Sequence, residues 1–176
     1  MPARIAEGLI KAHQNLEPAE FGWSSADEPT QVFNRRWLTK DGVTNEDPFG
    51  GNTDTAIMNP GFNNPKTSKP SGPTDPQVMI LAVRALADQR PLALLANYSL
   101  HYVGGYPAVS ADYYGAFANE ITKQLDATDA RYQGKPAFVG IMSNGTSGNI
   151  NNVNFGGPSP GRLRPGQRIE EVAKVV

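Results

Sequence analysis

The sequence predicts a mixed α/β fold, a mixed sheet with flanking helices and long loops, and three observations carry that prediction. Residues 91–100 and 137–142 are apolar, β-compatible runs, and each feeds a polar segment bearing glycines. Residues 111–125 between them have helical apolar spacing, so the unit reads as strand, helix, strand with its two strands parallel. Residues 78–83 form another apolar run, joined to the strand at Pro91 through Asp88-Gln89-Arg90, a link short enough for an antiparallel hairpin. A sheet with both kinds of pairing is mixed, and its ligand crevice is expected beyond the carboxyl ends of the parallel strands.

The elements follow in order. Ile5, Leu9, Ile10 and Leu16 recur at helical spacing and Pro18 stops the pattern, which predicts an amphipathic helix over 3–15. His13 falls on its polar side, where a histidine is ordinarily solvated. Residues 20–25 alternate as a strand and Asp27-Glu28-Pro29 reads as a turn. Residues 32–38 then set Arg35 and Arg36 among bulky apolar neighbours. The plainer reading is one half-buried strand with its arginines facing water over Trp37; the sharper one aims a guanidinium fork into a cleft, at a carboxylate or a developing oxyanion. Nearly every signal across 39–76 is turn or loop, with Ile57-Met58 its only apolar anchor, so a long loop insertion is expected there. Ser110 is placed to cap the helix at 111–125 and Asp112 to sit in its first turn. Gly156 to Gly161 and Pro165-Gly166 read as a linker-like patch, after which residues 167–176 begin a helix.

Composition bounds the function. The chain has 176 residues, enough for one domain that buries roughly 70% of its unfolded surface. Its 18 glycines, 15 prolines and mean hydropathy of −0.44 describe a loop-rich chain. A net charge of −1 gives no electrostatic footprint for nucleic acid or an anionic membrane surface. With no cysteine there is neither a disulfide framework nor a thiolate metal site. No apolar run is long enough to span a bilayer, and the first residues do not read as a signal peptide. No Gly-x-Ser-x-Gly elbow is present, which argues against an α/β serine hydrolase.

His101 is the strongest chemical candidate, a histidine at the end of a buried strand and just before Gly104-Gly105, where a metal or substrate could approach; the alternative is a satisfied structural histidine. A catalytic zinc needs three protein ligands and an open position. Two histidines, with no His-x-His and no His-Glu-x-x-His, cannot supply them, so most ligands of any metal at His101 must come from elsewhere.

Four blocks carry a family resemblance: Asn97-Tyr98-Ser99-Leu100-His101, Val109-Ser110-Ala111-Asp112-Tyr113-Tyr114-Gly115, Phe138-Val139, and Gly148-Asn149-Ile150-Asn151. In that order and spacing the chain resembles the N-terminal catalytic domain of the neutral/alkaline non-lysosomal ceramidases, over almost its whole length. The first helix, the strand at Phe21, the Asn34-Arg35 pair and Asp75 before Val78 also fit. The resemblance implies a zinc-dependent amidase that hydrolyses the N-acyl bond of ceramide, with zinc held by two histidines, a glutamate and a tyrosine. His101 falls on the second histidine, and Arg35 on the arginine that helps hold the scissile amide and its oxyanion.

Two departures matter. Where the ceramidases carry a catalytic serine followed by Pro-Asn, this chain carries Asn151-Asn152. Asn151 cannot be a nucleophile, but its amide can donate a hydrogen bond to an oxyanion, which leaves attack by water open. The family's first zinc histidine lies upstream of this sequence, and its glutamate and tyrosine lie downstream. The chain is therefore expected to be an incomplete domain, a single partial unit over 1–176, inactive as a hydrolase by itself. Its expected ligand is a small-molecule or lipid-like substrate, and the family's members are commonly secreted or periplasmic. Against ceramide specifically stand Asn151 in place of the family serine and the absence of any exposed apolar stretch that would hold acyl chains. The alternative is a non-catalytic ceramidase-like module that binds carbohydrate or another surface ligand through its Gly- and Asn-rich loops beside Tyr102, Tyr106 and Phe155.

Overall fold

A computed structural model describes residues 2–106 and 109–176. In chain order its elements are α1 (Pro2–Gln14), β1 (Ala19–Asp27), β2 (Phe33–Asn34), β3 (Arg36–Thr39), β4 (Ala56–Met58), β5 (Thr67–Pro70), β6 (Gln77–Ala85), β7 (Pro91–Tyr98), α2 (Asp112–Gln124), a 3-10 turn (Ala130–Tyr132), β8 (Val139–Asn144), β9 (Ile150–Asn151) and α3 (Gln167–Val175). The main sheet runs β1-β6-β7-β8, antiparallel except where β7 lies parallel to β8. The fold is thus mixed α/β. The β6-β7 hairpin and the crossover through α2 stand where the apolar runs placed them.

Period-two alternation decides which face of this sheet is covered. Ile80, Ala96 and Met142 lie side by side across β6, β7 and β8, and this face packs with Tyr113 and Phe117 of α2 and Ile169 and Val172 of α3 into the core. α2 approaches β8 closely at Gly140, where a Cβ would stand 2.9 Å from Ile121 Cγ2 and 3.3 Å from Ala118 Cα. The opposite face holds the row Trp23, Leu81, Leu95, Ile141 and, beside it, Phe21, Val83, Ala93, Val139. That face is largely bare, with Trp23 79% exposed. α1 buries no residue, so Ile5, Leu9 and Ile10 stay exposed along the helix the periodicity predicted.

The single strand expected over 32–38 is instead two strands in two sheets. β2 pairs antiparallel with β9, whereas β3 is the centre of a three-stranded sheet ordered β4-β3-β5. Asn34 makes the break: its buried side chain accepts the Arg36 N–H at 2.9 Å and donates to the Gly72 carbonyl at 3.2 Å. A side-chain oxygen that takes a neighbouring backbone N–H competes with the ladder, and here it turns the corner. The segment 39–76 is mainly turns and loop, yet β4 and β5 within it fold back onto β3. No helix among the described residues is long and apolar enough to cross a membrane.

Candidate functional site

β7 ends at Tyr98, three residues before His101, and the backbone between them is anchored without a ladder. The Leu100 carbonyl accepts two phenols, Tyr113 Oη at 2.7 Å and Tyr114 Oη at 3.0 Å. Both tyrosines come from the first turn of α2, and burial pushes both phenols above their ordinary value. Beyond the histidine, the Asp112 carboxylate accepts the Val103 N–H at 2.7 Å and the Gly104 N–H at 2.8 Å. Its Oδ1 also takes the Tyr113 N–H at 2.8 Å. Asp112 sits in the first turn as expected, but the cap differs: Ala111 stands there with no side-chain bond, Ser110 Oγ accepts the Asp112 N–H, and the Asp112 carboxylate turns toward the loop. Asp112 does so at φ 52°, a left-handed conformation that costs a non-glycine residue about 1 kcal/mol or more.

His101 itself is half-buried, its ring 5.0 Å from that of Tyr102. Nδ1 lies 2.6 Å from the Tyr102 carbonyl oxygen. A carbonyl only accepts, so Nδ1 carries the proton and donates, which leaves the lone pair of the neutral ring on Nε2. Metal-binding histidines are oriented by such a bond from the other ring nitrogen. His101 therefore fits a metal as one ligand. Among the described residues, however, no group of three or more His, Cys, Asp or Glu side chains is placed to hold an ion.

Arg35 occupies the corner between β2 and β3. Its N–H donates to the Asn149 carbonyl at 2.7 Å, its own carbonyl accepts the Asn59 N–H at 2.7 Å, and Nη2 donates to the Gly148 carbonyl at 2.9 Å. Nε is buried and donates to no protein acceptor; the same holds for Arg36 Nε. Both side chains are half-buried, so neither simply faces water as the plainer reading expected. Asn151, on β9, is buried, with Nδ2 3.0 Å from Asn59 Oδ1 and its own Oδ1 accepting the Val153 N–H at 2.9 Å. One amide proton of Asn151 is thus engaged and a second is available. Asn59, held at φ 50°, ties Arg35 to Asn151 from within the 39–76 segment, which reads in the sequence as turn and loop.

The loops after the parallel strands meet, as the crossover predicts. Gly145 N–H donates to the Tyr98 carbonyl at 2.8 Å, and Ser99 Oγ lies 3.1 Å from Thr146 Oγ1 and 3.3 Å from Asp75 Oδ2. Gly145 is required there, because a Cβ would come within 2.9 Å of Ser99 Oγ. Two clefts flank the β2-β9 ladder. One is polar, lined by Asn34, Ser71, Thr74, Asp75, Thr146 and Asn149 among others. The other lies between Val103 to Gly105, just past His101, and Asn152 to Asn154, just past Asn151. The structure thus brings Arg35 and Asn151 together through Asn59, and brings the segments after His101 and Asn151 to one cleft.

No protein-family model matches the chain, and no curated protein sequence matches it. Solved structures do. The chain is similar to the neutral ceramidase of Pseudomonas aeruginosa, with a TM-score of 0.58 at 17% identity over 97% of this chain. It is also similar to a structure described as ceramidase complexed with C2, with a TM-score of 0.56 at 16% identity over 94% of this chain. It spans only 23% and 22% of those two chains. At such identity the likeness is one of fold, and the conclusion is that these 176 residues take up a ceramidase-like fold.

Proposed function

We propose that this chain supplies part of a zinc-dependent amidohydrolase site that cleaves an N-acyl, ceramide-like amide. The observation that carries the reading is the presentation of His101: its backbone is clamped on both sides, and its Nδ1 proton is spent on Tyr102, so Nε2 is left to bind. A bound zinc supplies Lewis-acid polarisation of water and of the amide carbonyl. Hydrolysis joins the water oxygen to the carbonyl carbon and breaks the C–N bond, the proton going to the departing amine. Negative charge develops on the carbonyl oxygen during this step. The Arg35 guanidinium and the second amide proton of Asn151 are the donors proposed for that charge. The other zinc ligands are assigned to residues outside these 176.

His13, on the exposed α1, provides an internal control. Zinc added to the 15N-labelled chain at neutral pH is expected to bind weakly and to perturb the His101 ring nitrogens well before those of His13. Hydrolysis of a short-chain N-acyl amide is expected to be undetectable. Tight stoichiometric binding would show that the chain holds a complete site, and equal perturbation of the two histidines would remove the role of His101.

The second reading, a binding module for a neutral polyol such as a carbohydrate, is favoured by the polar cleft beside Asp75 and Thr146. Saturable shifts at Thr146 and Asn149 with a sugar, together with a zinc-insensitive His101, would select it.

A further inference from the structure

β1 is an edge strand, and among the described residues no strand pairs with its outer side. The direction of its free groups follows from its ladder. The Glu28 N–H donates to the Pro76 carbonyl at 2.8 Å and the Leu86 N–H to the Pro18 carbonyl at 3.0 Å, just beyond the two ends of β1 and in the register of its pairing with β6. Antiparallel bonds recur at every second residue. The even-numbered residues of 18–28 therefore face β6, and the N–H and C=O groups of Ala19, Phe21, Trp23, Ser25 and Asp27 point away from the sheet. Natural edges are blunted by shortness, lysine, proline, a bulge or a covering element. β1 has none of these: it runs nine residues without Lys, Arg or Pro, its register is unbroken, and every residue except Glu20 is exposed.

We infer that this edge pairs antiparallel with the β1 edge of a second copy of the chain, joining two four-stranded sheets into one. A two-fold axis through Trp23 sets Phe21 opposite Ser25 of the second copy, Ala19 opposite its Asp27, and the two Trp23 residues opposite each other. Each of these pairs joins groups that point outward on both strands. A slip of one residue would instead set outward groups against groups already bonded to β6. Pairing over this length makes about ten ladder hydrogen bonds, the number usual for a protein interface. The side chains suit a self-partner. Glu20 falls opposite Ala26 and Asp27 opposite Ala19, so no like charges meet. Phe21 and Trp23 are 68% and 79% exposed on the bare face, with ring centroids 6.2 Å apart. The axis brings the two Trp23 side chains together with a Phe21 diagonal to each, and cross-strand aromatic pairs are favourable. The opposite edge, β8, is six residues long, and a β1-to-β8 contact would add copies without closing, whereas the two-fold closes at two. No residue of 19–27 lines either cleft beside the β2-β9 ladder, so pairing leaves the candidate site open.

The test is amide exchange of the 15N-labelled chain at high and low concentration, beside sedimentation equilibrium. The expected result is a monomer–dimer equilibrium in which exchange at Phe21, Trp23 and Ser25 slows about ten-fold on concentration, while Gly22 and Ser24, already bonded to β6, change little. Ser25→Pro removes a donor that the monomer does not use, and proline is tolerated on the outer side of an edge strand. It is expected to keep native circular dichroism and abolish the dimer. Trp23→Lys, at an exposed position, sets two cations against each other and serves as a second variant if the first perturbs folding. It is expected to be monomeric, and mixing it with Trp23→Glu is expected to restore a dimer containing one copy of each. A chain that stays monomeric at every concentration, slowing that ignores the alternation, growth past the dimer, or a dimer that survives Trp23→Lys would overturn the inference.

Discussion

At the scale of single residues, Asp112 holds more of the candidate site than its place beside a helix start suggests. Its carboxylate accepts three N–H groups, two of them from the loop after His101, and it does so at a positive φ. Hydrogen bonds to a charged acceptor contribute about 1.5–3 kcal/mol each at most, and the strain offsets part of that. Asp112→Ala is accordingly expected to cost about 2 kcal/mol in urea unfolding and to speed amide exchange at Val103 and Gly104 ahead of the sheet. Equal exchange in both proteins would show that the loop stands without it. His101, Arg35 and Asn151 were legible in the sequence because histidine before glycines, an Asn-Arg pair and a Gly-Asn-apolar block are local features. Asn59 and Asp112 were not, because their roles consist of bonds to backbone that the chain brings near only on folding.

At the scale of elements, the strands were readable by alternation and the crossover by its helical insert, while the corner at Arg35 was not. Residues 32–38 alternate like one strand, and only Asn34 capturing the Arg36 N–H separates them into two. An asparagine within an apolar strand pattern is a warning sign. Packing makes a sharper prediction at Gly140. A valine there would meet Ala118 backbone that cannot yield, and a loss of about 1–3 kcal/mol is expected. Gly22→Val, on the strand β1 with open space around it, is expected to stay within about 0.5 kcal/mol. Parallel chemical denaturation of the two variants checks this, and equal losses would place the tight approach of α2 elsewhere. The link before β7 depends on Arg90, whose side chain is 2% exposed and is paired with the partly exposed Glu17, with Asp88 at 3.9 Å and with the Pro136 carbonyl. Removing one partner of a buried pair costs roughly 3 kcal/mol. Glu17→Ala is expected to lose that much by the same measurement, and a loss under 1 kcal/mol would show that the pair is not needed.

At the scale of the whole molecule, the core contains Tyr98 and Tyr113, with Tyr114 packed beside them, and burial raises all three phenols above 10. Below pH 10 the folded and unfolded chains both keep these protons, so the groups leave stability unchanged. As pH rises past 10 the unfolded chain releases protons that the folded chain retains, and stability falls. The expected outcome is that phenolate absorbance from these residues rises together with loss of far-ultraviolet circular dichroism. Full ionisation with native dichroism would contradict it. The bare sheet face adds that Trp23 is the readily quenched tryptophan, so Trp23→Phe is expected to remove most of the iodide-accessible fluorescence.

The proposed role of His101 depends above all on the orientation of its imidazole. A long-range 15N–1H spectrum of the chain above the histidine titration reads the tautomer of each ring directly. The prediction is that neutral His101 carries its proton on Nδ1 and is bare at Nε2, with the bond to the Tyr102 carbonyl holding it so. A His101 ring protonated at Nε2, or one averaging freely between tautomers as an exposed histidine does, would contradict the claim that this loop is built to present a metal ligand.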